Sequence, residues 1–259
     1  MFKSTYRGQD VYVYINKNTG LGAYVDLSGN YVGGWKFSLE QMKFHITNGI
    51  KINRGDSYMG SNISIGFVYT GIAQEQIKNE LNNIFSYLLS HNTRMVKMKV
   101  SKDIDGEEWI EYDMLDTHKK DDVISLLAEY YFGQIEVYSN LIGCNNLKLI
   151  IRIEKEPDKD YFGFLLDISE AQLLKNNSID EIKKVTDNIV SFMTDIYGYS
   201  GYDYAICDNE AEIEYSPEEY MNIQDDIYSI SIIPNRNNES TEFNIIKSSW
   251  NIDGLTSRY

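Results

Sequence analysis

The residues best placed to do chemistry are Glu210-Ala211-Glu212-Ile213-Glu214-Tyr215. Alternate side chains of a strand point to opposite faces. A strand here turns Ala211, Ile213 and Tyr215 inward and leaves Glu210, Glu212 and Glu214 in a row outside. Neighbours in such a row repel by ~0.5 kcal/mol per pair in water. A row of cations on another protein reverses that sign. Just upstream come Tyr197, Tyr199, Tyr202 and Tyr204, with Gly198 and Gly201 among them. Tyrosine offers large, stiff, amphipathic contact area and is enriched at interfaces. Glu218 and Glu219 follow, and from 185 to 235 there is no Lys or Arg against eleven Asp and Glu. The expected partner-binding set is therefore Glu210, Glu212, Glu214, Tyr199, Tyr202, Glu218 and Glu219, and the expected chemistry is docking of a basic protein. The same letters also describe an edge strand guarded by charge, with tyrosines straddling core and surface.

Catalytic motifs are absent from the sequence. None of His45, His91 and His118 has another ligand at metal spacing. Asp103-Ile104-Asp105-Gly106-Glu107-Glu108 resembles the start of a calcium loop, but Met114 stands where the closing glutamate belongs. A hairpin turn fits those residues better, and Arg54-Gly55-Asp56 reads as a turn as well. There is no nucleophile elbow, phosphate loop or zinc-protease pair. With 39 acids in the chain, any chosen carboxylate pair singles out nothing. The expectation is a protein that is not an enzyme and uses no cofactor or metal.

The formal charge of −15 opposes binding to nucleic acid or to an anionic membrane. No run of 18 apolar residues exists, and residues 1–6 lack the apolar core of a signal peptide. Cys144 and Cys207 suit free buried thiols in a reducing compartment. The cytoplasm is the expected location.

The elements that must position the acidic row form a strand–helix–hairpin unit. Tyr161-Phe162-Gly163-Phe164-Leu165-Leu166-Asp167-Ile168 reads as a strand covered on both faces. Ser178 and Glu181 spell a capping box, and Ile182, Val185, Ile189, Phe192, Met193 and Ile196 make one helical stripe. Gly198 suits a left-handed helix end. Strands over 202–207 and 210–215 complete the unit. A shorter copy lies upstream: a strand over 62–69, a helix over 73–91 and a hairpin over 95–112. Gly66-Phe67 aligns with Gly163-Phe164, and Ile110-Glu111-Tyr112 with Ile213-Glu214-Tyr215. An internal duplication with two loop-length changes explains the match.

Before the first copy, residues 1–35 form a β-meander, with a short helix over 38–47. Between the copies, a helix over 119–132 precedes strands over 134–138 and 147–153. Beyond the second, Ser216-Pro217 starts a short helix, Pro234 ends a strand over 227–233, and a polar loop spans 235–241. The expected fold class is α+β, with antiparallel sheets, two long helices and two similar lobes, 1–140 and 141–259.

The run Gly60-Ser61-Asn62-Ile63-Ser64-Ile65-Gly66-Phe67-Val68-Tyr69 with the helix after it, and Tyr161-Phe162-Gly163-Phe164-Leu165-Leu166, resemble the immunity proteins of bacterial polymorphic-toxin systems, in particular immunity group sixty-four. The resemblance spans most of the chain. It implies a protein that blocks a secreted toxin, often a nuclease, by occluding its site. It assigns no individual residue. Two other classes remain open: an enzyme with its site between the lobes, and a structural or regulatory subunit that dimerises through tyrosines.

Overall fold

The computed structural model describes residues 2–6, 9–15, 21–26, 31–36, 50–51, 62–101, 108–113, 120–175, 178–224, 227–237 and 240–247. The expected helix over 38–47, the turns over 54–56 and 103–107, His45 and His118 lie outside the described residues. Contacts divide the chain into two compact units, Met1–Gly60 and Ser61–Tyr259. The boundary expected at 140/141 falls instead at a tight turn between two paired strands of one sheet.

The first unit carries five antiparallel strands: β1 (Phe2–Tyr6), β2 (Gln9–Ile15), β3 (Leu21–Asp26), β4 (Tyr31–Lys36) and β5 (Ile50–Lys51), in the order β4-β3-β2-β1-β5. Val11, Val13 and Tyr24 are buried within it.

The second unit is one nine-stranded antiparallel sheet. In chain order it contains β6 (Asn62–Thr70), α1 (Gln74–Leu89), β7 (Arg94–Ser101), β8 (Ile110–Asp113), α2 (Lys120–Glu129), β9 (Phe132–Leu141), β10 (Cys144–Glu156), β11 (Tyr161–Ser169), α3 (Glu170–Leu173), α4 (Ile179–Tyr197), β12 (Tyr204–Asn209), α5 (Pro217–Met221), β13 (Ile230–Asn237) and β14 (Ser240–Lys247). The strand order is β14-β13-β12-β6-β11-β10-β9-β7-β8. The α+β class expected from the sequence is therefore observed. Three of the described helices, α1, α2 and α4, exceed seven residues.

At the sheet's centre β6 and β11 pair antiparallel with Phe67 opposite Phe164. Each is followed by a helix and a parallel crossover. The α1 crossover passes three strands to reach β7, whereas the α4 crossover passes only β6 to reach β12. The apolar stripes account for the helix side. Ile77, Leu81, Ile84, Phe85 and Leu88 of α1 and all six stripe residues of α4 are buried with Phe67, Phe162, Phe164 and Ile151 in one cluster.

Local chemistry sets the helix ends. The Ser178 hydroxyl accepts from the Glu181 N–H at 3.2 Å, as expected of an N-cap. The reciprocal half of the box is missing, because Glu181 Oε1 accepts from the Lys175 N–H at 3.0 Å. Ser178→Ala should cost about 1 kcal/mol, read as a lowered urea midpoint at unchanged slope. Gly198 is right-handed, φ −63°, and not left-handed as expected. At the end of α2, Lys155 Nζ donates to the carbonyls of Ala128 (2.6 Å) and Tyr130 (2.5 Å). Burial pushes this ammonium down to about 8.

Pro234 does not end its strand. β13 runs on to Asn237 and β14 starts at Ser240, so the expected polar loop is mostly sheet. β12 pairs with β13 only through Ile230–Ile232, so beyond that point one side of β13 needs no N–H donor.

Candidate functional site

The helices α1 to α4 cover one face of the second unit's sheet, and the short α5 packs on the other. The other face carries a smaller buried cluster of Val68, Tyr161, Leu165, Tyr204, Ile206, Ala211, Ile213, Tyr220 and Tyr228. The expected acidic row is built onto this face. After β12 the chain turns at Glu210, whose φ is +49° and whose N–H reaches the Asn62 carbonyl at 2.8 Å. Ala211 and Ile213 are buried, while Glu210, Glu212 and Glu214 are exposed. The alternation is as expected, but the strand is not, since residues 211–216 have no ladder partner. Both edges of β12 are already taken, by β6 and by β13. Side chains hold the segment instead. Tyr204 Oη donates to the Tyr215 carbonyl at 2.6 Å, and Tyr228 Oη to the Glu212 carbonyl at 3.0 Å. Ile213 rests on Gly163, where a Cβ would lie 2.3 Å from its Cδ1.

The expected binding residues have different fates. Glu212 meets Arg152 at 3.3 Å. At Glu210 partial desolvation, then the charges of Asp167 and Glu212, push the carboxyl up. Glu219 closes a capping box with Ser216 and sits 3.2 Å from Lys159. The Ser216 N–H, then Lys159, hold its carboxyl below the usual range. Glu214 and Glu218 are exposed.

Tyr202 cannot present its ring to a partner. It is fully buried among Phe67 and Tyr197, and its hydroxyl donates to the Met193 carbonyl at 3.0 Å. Tyr204 is likewise buried, stacked on Tyr220 at 4.0 Å. Tyr199 is 51% exposed, but it packs against Tyr87 of α1 on the helix side. The acidic row and the exposed tyrosine thus stand on opposite faces of the sheet. Tyrosine spacing alone does not separate a ring that closes a core from one that faces solvent.

The residues missed from the sequence centre on Arg152. Its Nε donates to Asp167 Oδ2 at 2.6 Å and its Nη1 to Glu154 Oε1 at 2.7 Å, with Glu212 on the far side. Ser64 Oγ donates to the other Asp167 oxygen at 2.7 Å. Burial, opposed by Arg152 and reinforced by Glu212, pushes the Glu154 carboxyl up. One signal could have found part of this cluster: Asp167 is the lone charge inside an otherwise apolar strand.

Next to it opens a groove of about 370 Å³, lined by Arg152, Glu154, Glu156, Glu212, Trp109 and Phe132 among others. No serine, threonine, cysteine or histidine lines it. Its chemistry is electrostatic attraction and aromatic contact. Among the described residues no group of three His, Cys, Asp or Glu could hold a metal ion. No described helix is long and apolar enough to cross a membrane.

A family model described as Immunity protein 64 matches residues 49–258. A second, Colicin D, matches residues 1–45. No curated protein matches the chain. Among solved structures, the Pseudomonas aeruginosa T6SS protein PA0821 matches with a TM-score of 0.31 and 6% identity, over 60% of this chain and 42% of that one.

Proposed function

The chain belongs to the immunity protein 64 family, and on that premise we propose that it is a stoichiometric inhibitor, which binds a basic toxin domain in the cytoplasm and blocks it by occupancy. Family membership suggests an inhibitor that is not an enzyme, and the expected absence of a nucleophile motif fits that reading.

One observation carries the charge of the partner. Residues 1–60 hold seven Lys and Arg against four Asp and Glu, a formal +3, which leaves −18 on residues 61–259. The basic part includes the segment that matches Colicin D, and the acidic part includes almost all of the immunity match. A toxin with a domain related to residues 1–45 would bring similar basic character to the acidic unit. Opposite fields of this kind steer encounter and raise the association rate. A nuclease, which holds phosphates with cations, is the toxin class that suits this surface best.

The face opposite α1 to α4 is the binding face in this reading. Glu210, Glu212, Glu214, Glu218 and Glu219 are its exposed acids, of which Glu212 and Glu219 are partly engaged by Arg152 and Lys159. The joint variant Glu214→Lys/Glu218→Lys should slow association with a Colicin D-type toxin domain about 10-fold at low salt, with little change in dissociation. Stopped-flow mixing at two ionic strengths checks this. An unchanged rate at low salt would remove this face from the interface. Growth protection of cells that express such a toxin domain tests the inhibitor role itself.

A further inference from the structure

We propose that the groove beside Arg152 is a socket for a lysine or arginine side chain of a protein partner. The proposal deepens the inhibitor reading and rests on it.

The groove lies over β9 and β10 on the sheet face opposite α1 to α4, between Trp109 and the segment 210–216. One wall is aromatic. The Trp109 and Phe132 rings stack with centroids 6.3 Å apart, and Trp109 is 38% exposed beside Ile110, which is 44% exposed. This wall already accepts one cation of the chain itself, since Lys99 Nζ lies 4.5 Å from the Trp109 ring centre. The other wall is acidic, with Glu154, Glu156 and Glu212. Arg152 offers a single positive charge to Asp167, Glu154 and Glu212 together. Lys155 also lines the groove, so Asp167, Glu154, Glu156 and Glu212 face two formal cations there and keep a formal surplus of two negative charges, reduced where the raised Glu154 carboxyl holds its proton.

A lysine or arginine matches both walls at once. Its alkyl stem lies along apolar rings while its head meets carboxylates, and a cation beside an aromatic ring gains further attraction. An anionic ligand meets the wrong sign, and a neutral apolar one adds nothing to the carboxylates beyond their contacts with Arg152. Arg152 also fixes the acidic wall in advance, so little side-chain entropy remains to be lost on docking.

The test uses the full chain and an acetylated, amidated tetralysine peptide as the probe. The indole N–H of Trp109, assigned by its loss in Trp109→Phe, is followed by NMR at low salt. The wild type should show a saturable shift. Glu156→Gln/Glu212→Gln should weaken the peptide about 5-fold, since each lost contact to a partly exposed charge is worth a fraction of a kcal/mol to about one. Glu75→Gln/Asp195→Asn removes the same number of charges from exposed positions on α1 and α4, on the other face of the same unit, and should leave the affinity within about 2-fold. Equal weakening by both pairs, or a Trp109 resonance that does not move, overturns the socket. A tetraglutamine peptide that shifts Trp109 equally overturns it too.

A parallel growth-protection assay separates the two readings. Undiminished protection by Glu156→Gln/Glu212→Gln would overturn the groove as a toxin socket and leave the inhibitor role standing. A saturable Trp109 response in a wild type that protects against no Colicin D-type domain would overturn the inhibitor role instead.

Discussion

Arg152→Met is expected to destabilise the second unit by about 2–3 kcal/mol, a loss of roughly 5–10 °C in melting temperature for a unit of this size. Removing one partner of a buried ion pair costs more than the pair contributes, because the stranded charges stay behind. Here Asp167 and Glu154 are stranded, with side chains only 10% and 19% exposed. Arg152 itself is 28% exposed, so solvent screens part of the loss, and the expectation sits at or below the lower end of the range for buried pairs.

The pH dependence identifies the cause. Burial already raises the folded-state value of Glu154, and without the guanidinium that opposes this it rises further above its unfolded value. The folded state then binds more protons than the unfolded one, and stability falls as pH climbs above about 4. The gap between variant and wild type should therefore be smaller at pH 5 than at pH 8 in thermal denaturation. A gap of equal size at both would assign the loss to packing. Adding Glu154→Gln to Arg152→Met removes one stranded charge and should recover about 1 kcal/mol.

Gly163→Ala should have a similar effect by a different route. A Cβ there would lie 2.3 Å from Ile213 Cδ1 and 2.9 Å from the Phe67 carbonyl oxygen. The second neighbour is backbone of a central strand and cannot swing away. The expected cost is about 2–3 kcal/mol, the upper part of the range for overpacking a filled core. Because Ile213 anchors the segment that carries Glu212, the substitution should also loosen the Glu212–Arg152 contact. Hydrogen exchange at the amides of 211–215 should then speed up more than exchange in β6. Ile213→Val removes the offending methyl and should restore part of the stability of Gly163→Ala. Failure of that rescue would place the strain at Phe67 alone.

These two effects meet at one point of the fold. A bare glycine in a central strand admits Ile213, Ile213 pins an extended segment, and the segment brings a glutamate to a half-buried arginine. The acidic surface is thus coupled to the sheet through packing and not through a ladder.

Much of this was legible in the order of residues. The stripe from Ile182 to Ile196 and the hydroxyl of Ser178 define α4 without reference to the rest of the chain, because helix period and capping are local physics. The alternation of Ala211 and Ile213 with the glutamates correctly sorted inside from outside. Composition alone established the acidity of the chain. Pairing was not legible. Whether an extended segment finds a neighbour depends on which edges are open, and those of β12 are closed by β6, from more than a hundred residues earlier, and by β13. The tyrosines failed for the same reason: Tyr202 and Tyr199 carry the same side chain three residues apart, and only the packing of α1 and α4 against the sheet puts one in the core and the other in water. Arg152 and its three carboxylates, drawn from β10, β11 and the segment after β12, become a site only when the sheet sets those separate stretches side by side.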